Sequence, residues 1–275
     1  MRTEIKKAKR IVIKIGSSSL THKETKDINY RKLEQLVRVL SDLRNQSLEV
    51  VLVTSGAQAV GRQVLHLDDI PDLLSEKQAL AAIGQAKLMM TYQRLFAEYN
   101  QKVAQILITK GTMQRDRSRN NAENTFNELL KLGVIPIVNE NDTVATDEIE
   151  FGDNDHLSSF VVSLIGADLL IILSDIDGLY TDDPRQNAHA EFIPFVERIT
   201  QEHYLMGKDT SSSSVGTGGM RAKIDAAKIA GASGAGMILN NGKDVTQIYN
   251  ILEGENIGTY FKPNKEKEFD IKNYM

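Results

Sequence analysis

The sequence contains no cysteine. That absence excludes a disulfide framework, a thiolate metal site and a catalytic thiol, and it is typical of proteins that work in the reducing cytosol. Long apolar runs are also missing, since no stretch approaches the roughly 20 apolar residues that a membrane-spanning helix needs. The apolar run at residues 11–15 contains Lys14 and lacks a signal-peptide cleavage pattern. We therefore expect a cytoplasmic protein that does not bind membranes.

A strong charge of one sign is lacking as well. The formal net charge is -4 and the pI is near 5.8, so no basic surface for nucleic acid is indicated. The five histidines stand in no context that resembles a catalytic triad. With 275 residues, 41% of them hydrophobic, the chain is long enough for one large α/β domain or two small ones.

Short apolar runs rich in β-branched residues recur along the chain. They lie at residues 11–15, 50–53, 103–108, 134–138, 169–173 and 237–239. Such runs are typical of strands that are buried on both faces of a parallel sheet. Amphipathic helical patterns separate most of them, at residues 30–46, 58–65, 75–99, 120–132, 156–165 and 219–230. The alternation predicts an α/β fold, a three-layer αβα sandwich around a mainly parallel sheet.

Three local features extend this prediction. Ser75 and Gln78 have the spacing of a capping box at the start of the third helical pattern. Residues 143–146 and 149–151 alternate enough to form a small hairpin. The tail at residues 263–275 is polar, and we expect it to fray.

An acidic stretch at residues 139–155 follows the fourth predicted strand. It contains seven acidic residues and three asparagines. A solvated loop is one interpretation of such a stretch. Its place at a strand end favours another, because open α/β sheets bind their ligands there. We interpret it as a loop that binds a small charged molecule.

Two further strand ends carry groups suited to anions. Lys14 lies inside an apolar strand, where its charge needs a partner unless the strand is at an edge. Gly16 and the serines after it offer backbone N–H donors to a phosphate. Ser55 follows the second strand and is either a helix N-cap or part of an anion site. The G-x-S-x-G pattern of a nucleophile elbow is absent around it.

The second half of the chain carries two more candidate sites. Ser174 and Asp175 end the fifth strand, and the D-x-D-G pattern there lacks the acidic position that an EF-hand would require. The glycine-rich residues 216–219 run into a helix that begins with Arg221 and Lys223. They match neither a Walker A motif nor G-x-G-x-x-G, and a flexible linker is the alternative. Backbone donors, a helix N-terminus and two cations favour a polyphosphate site.

These features together favour phosphoryl transfer to a small molecule. That reaction needs positioning and charge neutralisation more than histidine or cysteine chemistry. A carboxylate acceptor, with a pKa of about 4.3 for a glutamate side chain, is ionised at neutral pH and needs no base. The acidic groups of the chain are then free to orient lysines and to bind an ammonium group.

The motifs resemble those of the amino acid kinase family, and most closely its members that act on free glutamate. They are KIGSS at 14–18, VTSGA at 53–57, NENDTVAT at 139–146, FGDND at 151–155, DGLYT at 177–181 and GTGGM at 216–220. They occur in order over nearly the whole chain. The resemblance implies the carbamate kinase-like fold of this family.

The resemblance also implies a reaction. It is the ATP-dependent phosphorylation of the side-chain carboxylate of L-glutamate to L-glutamyl 5-phosphate, the first step of proline biosynthesis. A kinase domain would span residues 1–262, with glutamate bound mainly by residues 1–165 and ATP mainly by residues 166–262. Many relatives carry a further PUA domain, which we expect to be missing here. Feedback inhibition by proline and a homo-oligomer, dimer or tetramer, are implied as well.

The same resemblance assigns roles to residues. Lys14 and Lys223 would stabilise the moving phosphoryl group, and Asp155 would hold both lysines. The residues implied to bind glutamate are Ser55, Gly56, Ala57, Asn139, Asp142 and Asn154. Those implied to contact ATP are Lys14, Gly16, Ser174, Asp175, Thr217, Gly218, Gly219, Met220, Arg221, Ala222 and Lys223. Mg2+ would be held mainly by the phosphates, without a dedicated metal site. Many relatives have threonine in place of Ser174.

Two other functions stay open at this point. One is a kinase for another acidic amino acid, such as N-acetylglutamate, against which Asp142 argues because a carboxylate suits an ammonium group and not an acetylated amine. The other is a catalytically silent amino-acid or nucleotide sensor on the same fold. The presence of Lys14, Lys223 and Asp155 argues against the sensor.

Overall fold

The computed structural model describes residues 2–22, 24–25, 27–67, 71–144, 154–206 and 219–275. The strands are β1 (Arg10–Ile15), β2 (Glu49–Thr54), β3 (Val103–Ile108), β4 (Ile135–Glu140), β5 (Leu169–Ser174), β6 (Leu179–Tyr180), β7 (Phe192–Ile193), β8 (Phe195–Val196), β9 (Gly236–Asn241) and β10 (Thr259–Phe261). The α-helices are α1 (Ser17–Leu20), α2 (Tyr30–Asn45), α3 (Ala57–Val64), α4 (Leu74–Ala97), α5 (Lys110–Gln114), α6 (Asp116–Lys131), α7 (Asn154–Ile165), α8 (Gln201–Met206), α9 (Met220–Ser233) and α10 (Gln247–Leu252). The hairpin predicted near residue 145 lies largely outside these ranges.

One sheet of eight strands organises the molecule. Its order is β3-β4-β2-β1-β5-β9-β10-β8, and β6 pairs with β7 in a separate small sheet. The six predicted strands are all present and run parallel to one another. Strand β10 is antiparallel to β9, and β8 is parallel to β10. The mainly parallel α/β sheet predicted from the apolar runs is confirmed.

The central strand β1 shows how the sheet divides two cores. Its side chains alternate, because successive residues of a strand point to opposite faces. Ile11, Ile13 and Ile15 pack into one hydrophobic core, together with α2 and α4. Val12 lies in the other core, together with α7 and α9. The alternation therefore places Lys14, two residues after Val12, on the same face as α7 and α9.

Helices α3 and α4 approach each other closely at two glycines. A Cβ atom on Gly84 would lie 1.7 Å from the carbonyl oxygen of Ala57. One on Gly61 would lie 2.0 Å from the carbonyl oxygen of Leu80. No side chain fits at either position, so the two backbones are in direct contact. This contact fixes the start of α3, which directly follows Ser55 and Gly56.

Two local predictions are wrong. The capping box at Ser75 and Gln78 does not form, since α4 begins one residue earlier, at Leu74, and no side chain caps it. The tail does not fray. Ile271 is only 6% exposed in the second core, and the Lys272 ammonium contacts Asp116 at 2.8 Å. Phe269, Tyr274 and Met275 also pack against this core, so the apolar side chains of the segment anchor it despite its polar composition.

None of the helices in the described ranges is long and apolar enough to cross a membrane.

Candidate active site

The carboxyl ends of five parallel strands meet at one edge of the sheet. The register places Ile15 of β1 beside Thr54 of β2 and Leu173 of β5, and Leu173 beside Asn240 of β9. Strand β4 is parallel to β2 and ends with Asn139 and Glu140. The residues predicted to bind ligand come directly from these strand ends and from the helices that follow them. This is the edge at which open α/β sheets bind ligands.

Asp155 lies at the centre of the site. It occupies the first turn of α7 and is completely buried. Its Oδ1 atom lies 2.6 Å from the Nζ of Lys14, and its Oδ2 atom lies 3.0 Å from the Nζ of Lys223. Both lysines are buried as well, at 9% and 6% exposure. The three residues that the resemblance assigned to catalysis are therefore brought together from β1, α7 and α9.

The electrostatics of this triad favour the charged form of the acid. Burial alone would raise the pKa of Asp155, but the positive charges of Lys14 and Lys223, and their hydrogen bonds, hold it at about 2. The carboxylate is therefore ionised throughout the physiological range and is a poor proton acceptor. A buried charge is stable only when it is paired, and here one anion serves two cations.

The turn after β1 lies against the turn after β2. The Ser17 backbone N–H donates to the Ser55 Oγ at 2.9 Å. Gly56 has a φ of 101°, in the left-handed region, and it, rather than Ser55, is the N-cap of α3. A Cβ on Gly56 would lie 3.2 Å from the Cβ of Ser17, and one on Gly16 would lie 3.7 Å from the Lys14 Nζ. Ser55 is therefore not a helix cap, and its hydroxyl lies beside the backbone donors next to Lys14.

A buried amide network forms the neighbouring wall. The Asn154 Nδ2 donates to the Asn139 Oδ1 at 2.9 Å and to the Thr54 carbonyl at 2.6 Å. The Asn139 Nδ2 donates to the Gln85 Oε1 at 3.0 Å, and the Thr54 hydroxyl bonds to the Tyr92 hydroxyl at 3.0 Å. Asn139 and Asn154, two of the residues that the resemblance assigns to glutamate, are thus joined to each other by a hydrogen bond.

Sequence reasoning missed the supporting members of this network. Gln85 and Tyr92 lie on α4, within a helical pattern whose inward positions are mostly apolar. Gln85, like Thr54, is a polar residue that the structure buries, and no motif in the sequence had singled out Gln85. Buried polar groups need hydrogen-bond partners, and Gln85 and Thr54 find theirs among the residues of this network.

Asp142 follows β4 and is half-buried. Burial raises its pKa to about 6. Its predecessor Asn141 donates its backbone N–H to the Ile108 carbonyl at 3.0 Å, which ties the start of the acidic loop to β3. A carboxylate that is costly to ionise in the absence of ligand is suited to bind a cation, because the cation removes that cost.

The side of the site that the resemblance assigns to ATP is built by β5, β9 and α9. The buried Ser174 hydroxyl donates to the Asp175 carboxylate at 3.1 Å, and Asp175 is exposed. The Ser174 carbonyl accepts from the Gly242 N–H at 2.7 Å. A Cβ on Gly242 would lie 2.9 Å from the Ser19 Oγ, so the end of β9 touches the turn after β1. No motif of the sequence had singled out Gly242.

The start of α9 completes this side. Gly219 precedes the helix, Met220 begins it, and Lys223 points inward while Arg221 is exposed and Ala222 half-buried. Thr217 and Gly218, and the FGD part of the motif at 151–155, lie outside the described residues. The described residues contain no group of three or more His, Cys, Asp or Glu side chains that could hold a metal.

Comparison with known proteins identifies the family of the chain. Residues 9–240 match the model of the amino acid kinase family. The chain is 50% identical over 270 residues to glutamate 5-kinase of Carboxydothermus hydrogenoformans, covering 98% of this chain and 72% of that protein. It is 48% identical over 269 residues to glutamate 5-kinase of Clostridium perfringens, covering 96% and 99%.

Solved structures show the same fold at lower identity. UMP kinase from Bacillus anthracis superposes with a TM-score of 0.62 at 15% identity, covering 94% of this chain and 97% of that one. Carbamate kinase from Giardia lamblia, bound to AMP-PNP, superposes with a TM-score of 0.67 at 16% identity, covering 94% and 100%. The predicted carbamate kinase-like fold is confirmed. By the match to the family model and the high identity to the two glutamate 5-kinases, the chain belongs to the amino acid kinase family and, within it, to the glutamate 5-kinases.

Proposed function

We propose that the chain transfers the γ-phosphoryl group of ATP to the side-chain carboxylate of L-glutamate, giving L-glutamyl 5-phosphate and ADP in the first step of proline biosynthesis. The observation that carries the proposal is the buried Lys14–Asp155–Lys223 triad beside the Asn139–Asn154 pair. Two cations fixed beside an amide-lined pocket are suited to neutralise charge on a phosphoryl group that moves between two anions.

The triad supplies positioned charge and no base. The glutamate side chain reacts as a carboxylate, so no proton has to leave the acceptor. Asp155, with a pKa near 2, keeps its negative charge and holds the ammonium groups of Lys14 and Lys223 in place. Lys14 reaches the site from β1, which lies between the strands assigned to glutamate and those assigned to ATP. Lys223 reaches the site from α9. Both ammonium groups then lie next to the phosphoryl group during its transfer.

The glutamate pocket is formed by groups of two kinds. Asn139 and Asn154 offer amide groups, and Ser55 offers a hydroxyl next to the backbone donors at Gly56 and Ala57. Asp142 pairs with the α-ammonium group. Its raised pKa supports this role, because the ammonium charge of a bound glutamate would offset the cost of burial.

ATP binds along β5 and the start of α9 in this proposal. Ser174, Asp175 and, as the resemblance implies, residues 217–223 contact ATP, and the first turn of α9 offers its backbone N–H groups to the phosphates. Magnesium fits this set of side chains as an ion held mainly by phosphate oxygens and water, since it needs only one or two protein carboxylates. Bound in this way, it supplies further charge neutralisation.

Hydroxylamine trapping tests the reaction. The chain is incubated with ATP, magnesium and either glutamate, aspartate or N-acetylglutamate, and hydroxamate is measured. Product from glutamate alone supports the proposal. Product from N-acetylglutamate would replace the substrate and keep the mechanism. Binding of ATP without any product would favour the silent sensor.

Three further expectations share the same ground. We propose that proline inhibits the reaction, that the chain forms a homo-oligomer, dimer or tetramer, and that it works in the cytoplasm, where ATP and glutamate are both present. All three are supported by the resemblance. Adding proline to the trapping assay tests the first. Sedimentation equilibrium tests the second, and a monomer at all concentrations would contradict it.

A further inference from the structure

A second contact joins α7 to α9 beside the catalytic triad. Asp155 is followed on α7 by His156, and Lys223 is followed two residues later on α9 by Asp225. The His156 Nε2 lies 3.8 Å from the Asp225 Oδ2. In the Asp155–Lys223 contact α7 supplies the acid, whereas in the His156–Asp225 contact α7 supplies the base. The first contact is fully buried, whereas the side chains of the second are 25% and 34% exposed.

Asp225 has another partner on a third helix. The Tyr204 hydroxyl donates to the Asp225 Oδ1 at 2.8 Å. Tyr204 lies on α8, which ends at Met206, and α9 begins at Met220. The Asp225 carboxylate therefore joins α9 to the helix before it in the chain and, through its other oxygen, to α7.

The surroundings keep Asp225 negatively charged. Burial alone would raise its pKa, but the interaction with His156 at 3.8 Å, the hydrogen bond from Tyr204 and the charge of Arg221 lower it. Burial and the bond to Asp225 raise the pKa of the Tyr204 phenol, so Tyr204 stays a neutral donor. Because its acceptor is ionised, the hydrogen bond from Tyr204 to Asp225 is stronger than one between neutral groups.

The start of α9 depends on such contacts for its position. The residue before the helix is Gly219, which has no side chain that could cap it. The ammonium group of Lys223 is carried by the first turn of this helix and lies 3.0 Å from Asp155. A small shift or rotation of that turn would move Lys223 away from both Asp155 and the phosphates.

We propose that Asp225 is a positioning residue for phosphoryl transfer, which holds the first turns of α9 through His156 and Tyr204 and so fixes the ammonium group of Lys223. The inference rests on the proposed function, because its effect is measured on that reaction. Asp225 is not among the residues assigned here to glutamate or ATP. Its loss acts on the rate of transfer, because small misplacements of a catalytic group are costly. The glutamate pocket, built on β2, β4 and Asn154 at the start of α7, is expected to change less than the position of Lys223.

The test compares kcat, the KM for glutamate and the thermal midpoint in a set of variants. We expect Asp225→Ala to lower kcat about tenfold and Asp225→Asn, which still accepts from Tyr204, to lower it less. The KM for glutamate stays within about twofold in both. Asp116→Asn is the matched control, because it removes one carboxylate from another partly exposed ion pair, with Lys272. Its kcat should equal that of the unaltered chain.

A double-mutant cycle separates positioning from a general loss of stability. If His156 and Asp225 act as a pair, His156→Gln lowers kcat in the unaltered chain and has little further effect in Asp225→Asn. Additive losses, or an unchanged kcat in Asp225→Ala, would overturn the proposal. Should Asp225→Ala fail to fold, His156→Gln and Tyr204→Phe carry the same test. Absence of hydroxamate from the unaltered chain would instead contradict the proposed function itself.

Discussion

Lys14 and Lys223 bind the two oxygens of a single carboxylate, that of Asp155. One lysine comes from the central strand β1 and the other from helix α9. Two ammonium groups this close would repel each other without the anion between them. The pair is therefore an obligate arrangement, in which the acid determines where each cation can be when the phosphoryl group arrives.

The first prediction concerns this acid. Asp155→Asn keeps the size of the side chain and removes its charge, which leaves two buried cations without their anion. We expect kcat to fall about 1,000-fold and the free energy of unfolding to fall by about 3 kcal/mol. Steady-state kinetics and urea unfolding measure the two effects.

Glu128→Gln is the control for stability in that experiment. Glu128 pairs with Lys131 at 3.5 Å between side chains that are 60% and 77% exposed. Exposed pairs contribute little, so its free energy of unfolding should change by less than about 0.5 kcal/mol. An equal loss in both variants would show that the ion pairs of Asp155 contribute no more to the free energy of unfolding than an exposed pair does.

The second prediction concerns pH. The pKa of Asp155 in the folded protein lies at about 2, below its ordinary value near 3.8. The stability that it contributes is complete above the ordinary value and is lost as the pH falls towards 2. Acid unfolding between pH 4 and pH 2 should therefore be shallower in Asp155→Asn than in the unaltered chain, to the extent of about one proton. Equal slopes in a pH titration followed by circular dichroism would contradict this.

The third prediction concerns Lys223. Lys223→Ala removes one of the two cations that would face the moving phosphoryl group. We expect kcat to fall by about three orders of magnitude with a much smaller change in the KM for glutamate. Lys223→Arg should not restore activity, because a planar guanidinium does not occupy the place of a compact ammonium group. Turnover near normal in Lys223→Ala would mean that the phosphoryl group moves elsewhere.

The fourth prediction concerns the specificity for a free amino group. Asp142→Asn should raise the KM for glutamate about 100-fold, which corresponds to the loss of one charge-assisted contact. The KM for ATP should stay nearly constant. An equal rise in both constants would remove the case for an ammonium partner.

The fifth prediction follows from the raised pKa of the same residue. Asp142 ionises at about pH 6 in the absence of ligand, because burial disfavours its charge. A bound ammonium group favours the charged form of Asp142. Glutamate should therefore bind to the enzyme in which Asp142 is deprotonated. The KM for glutamate should then be constant above pH 7 and rise as the pH falls below 6, by up to about tenfold per pH unit. Asp142→Asn should abolish this rise, and a rise that persists in the variant would assign it to another group.

The sequence allowed the sheet, and the position of several candidate site residues at one of its edges, to be predicted for one physical reason. Buried parallel strands are recognisable from their apolar runs, and a polar residue at the end of such a run, like Ser55 or Asn139, has to lie at the ligand-binding edge. The meeting of Lys14, Asp155 and Lys223 was implied by the family resemblance only. Spacing along a chain does not show which helix returns to which strand.

The features that escaped prediction lack a periodic signal. Strands β6, β7, β8 and β10 are two or three residues long, too short for an alternating pattern to be read. Ser75 and Gln78 had the right spacing for a cap, but the helix begins one residue earlier. Pairs such as Gln85–Asn139 join side chains far apart in sequence, and only the folded chain shows them.

The contact between α3 and α4 has a consequence for engineering. Because their backbones touch at Gly61 and Gly84, the two helices form one rigid block that carries both Ser55 at its edge and Gln85 beneath Asn139. A library designed to change the accepted amino acid should leave both glycines untouched and vary Asp142 and its neighbours. Replacing either glycine by a larger residue would push α3 and α4 apart. The binding of every new acceptor would still depend on the positions of these two helices.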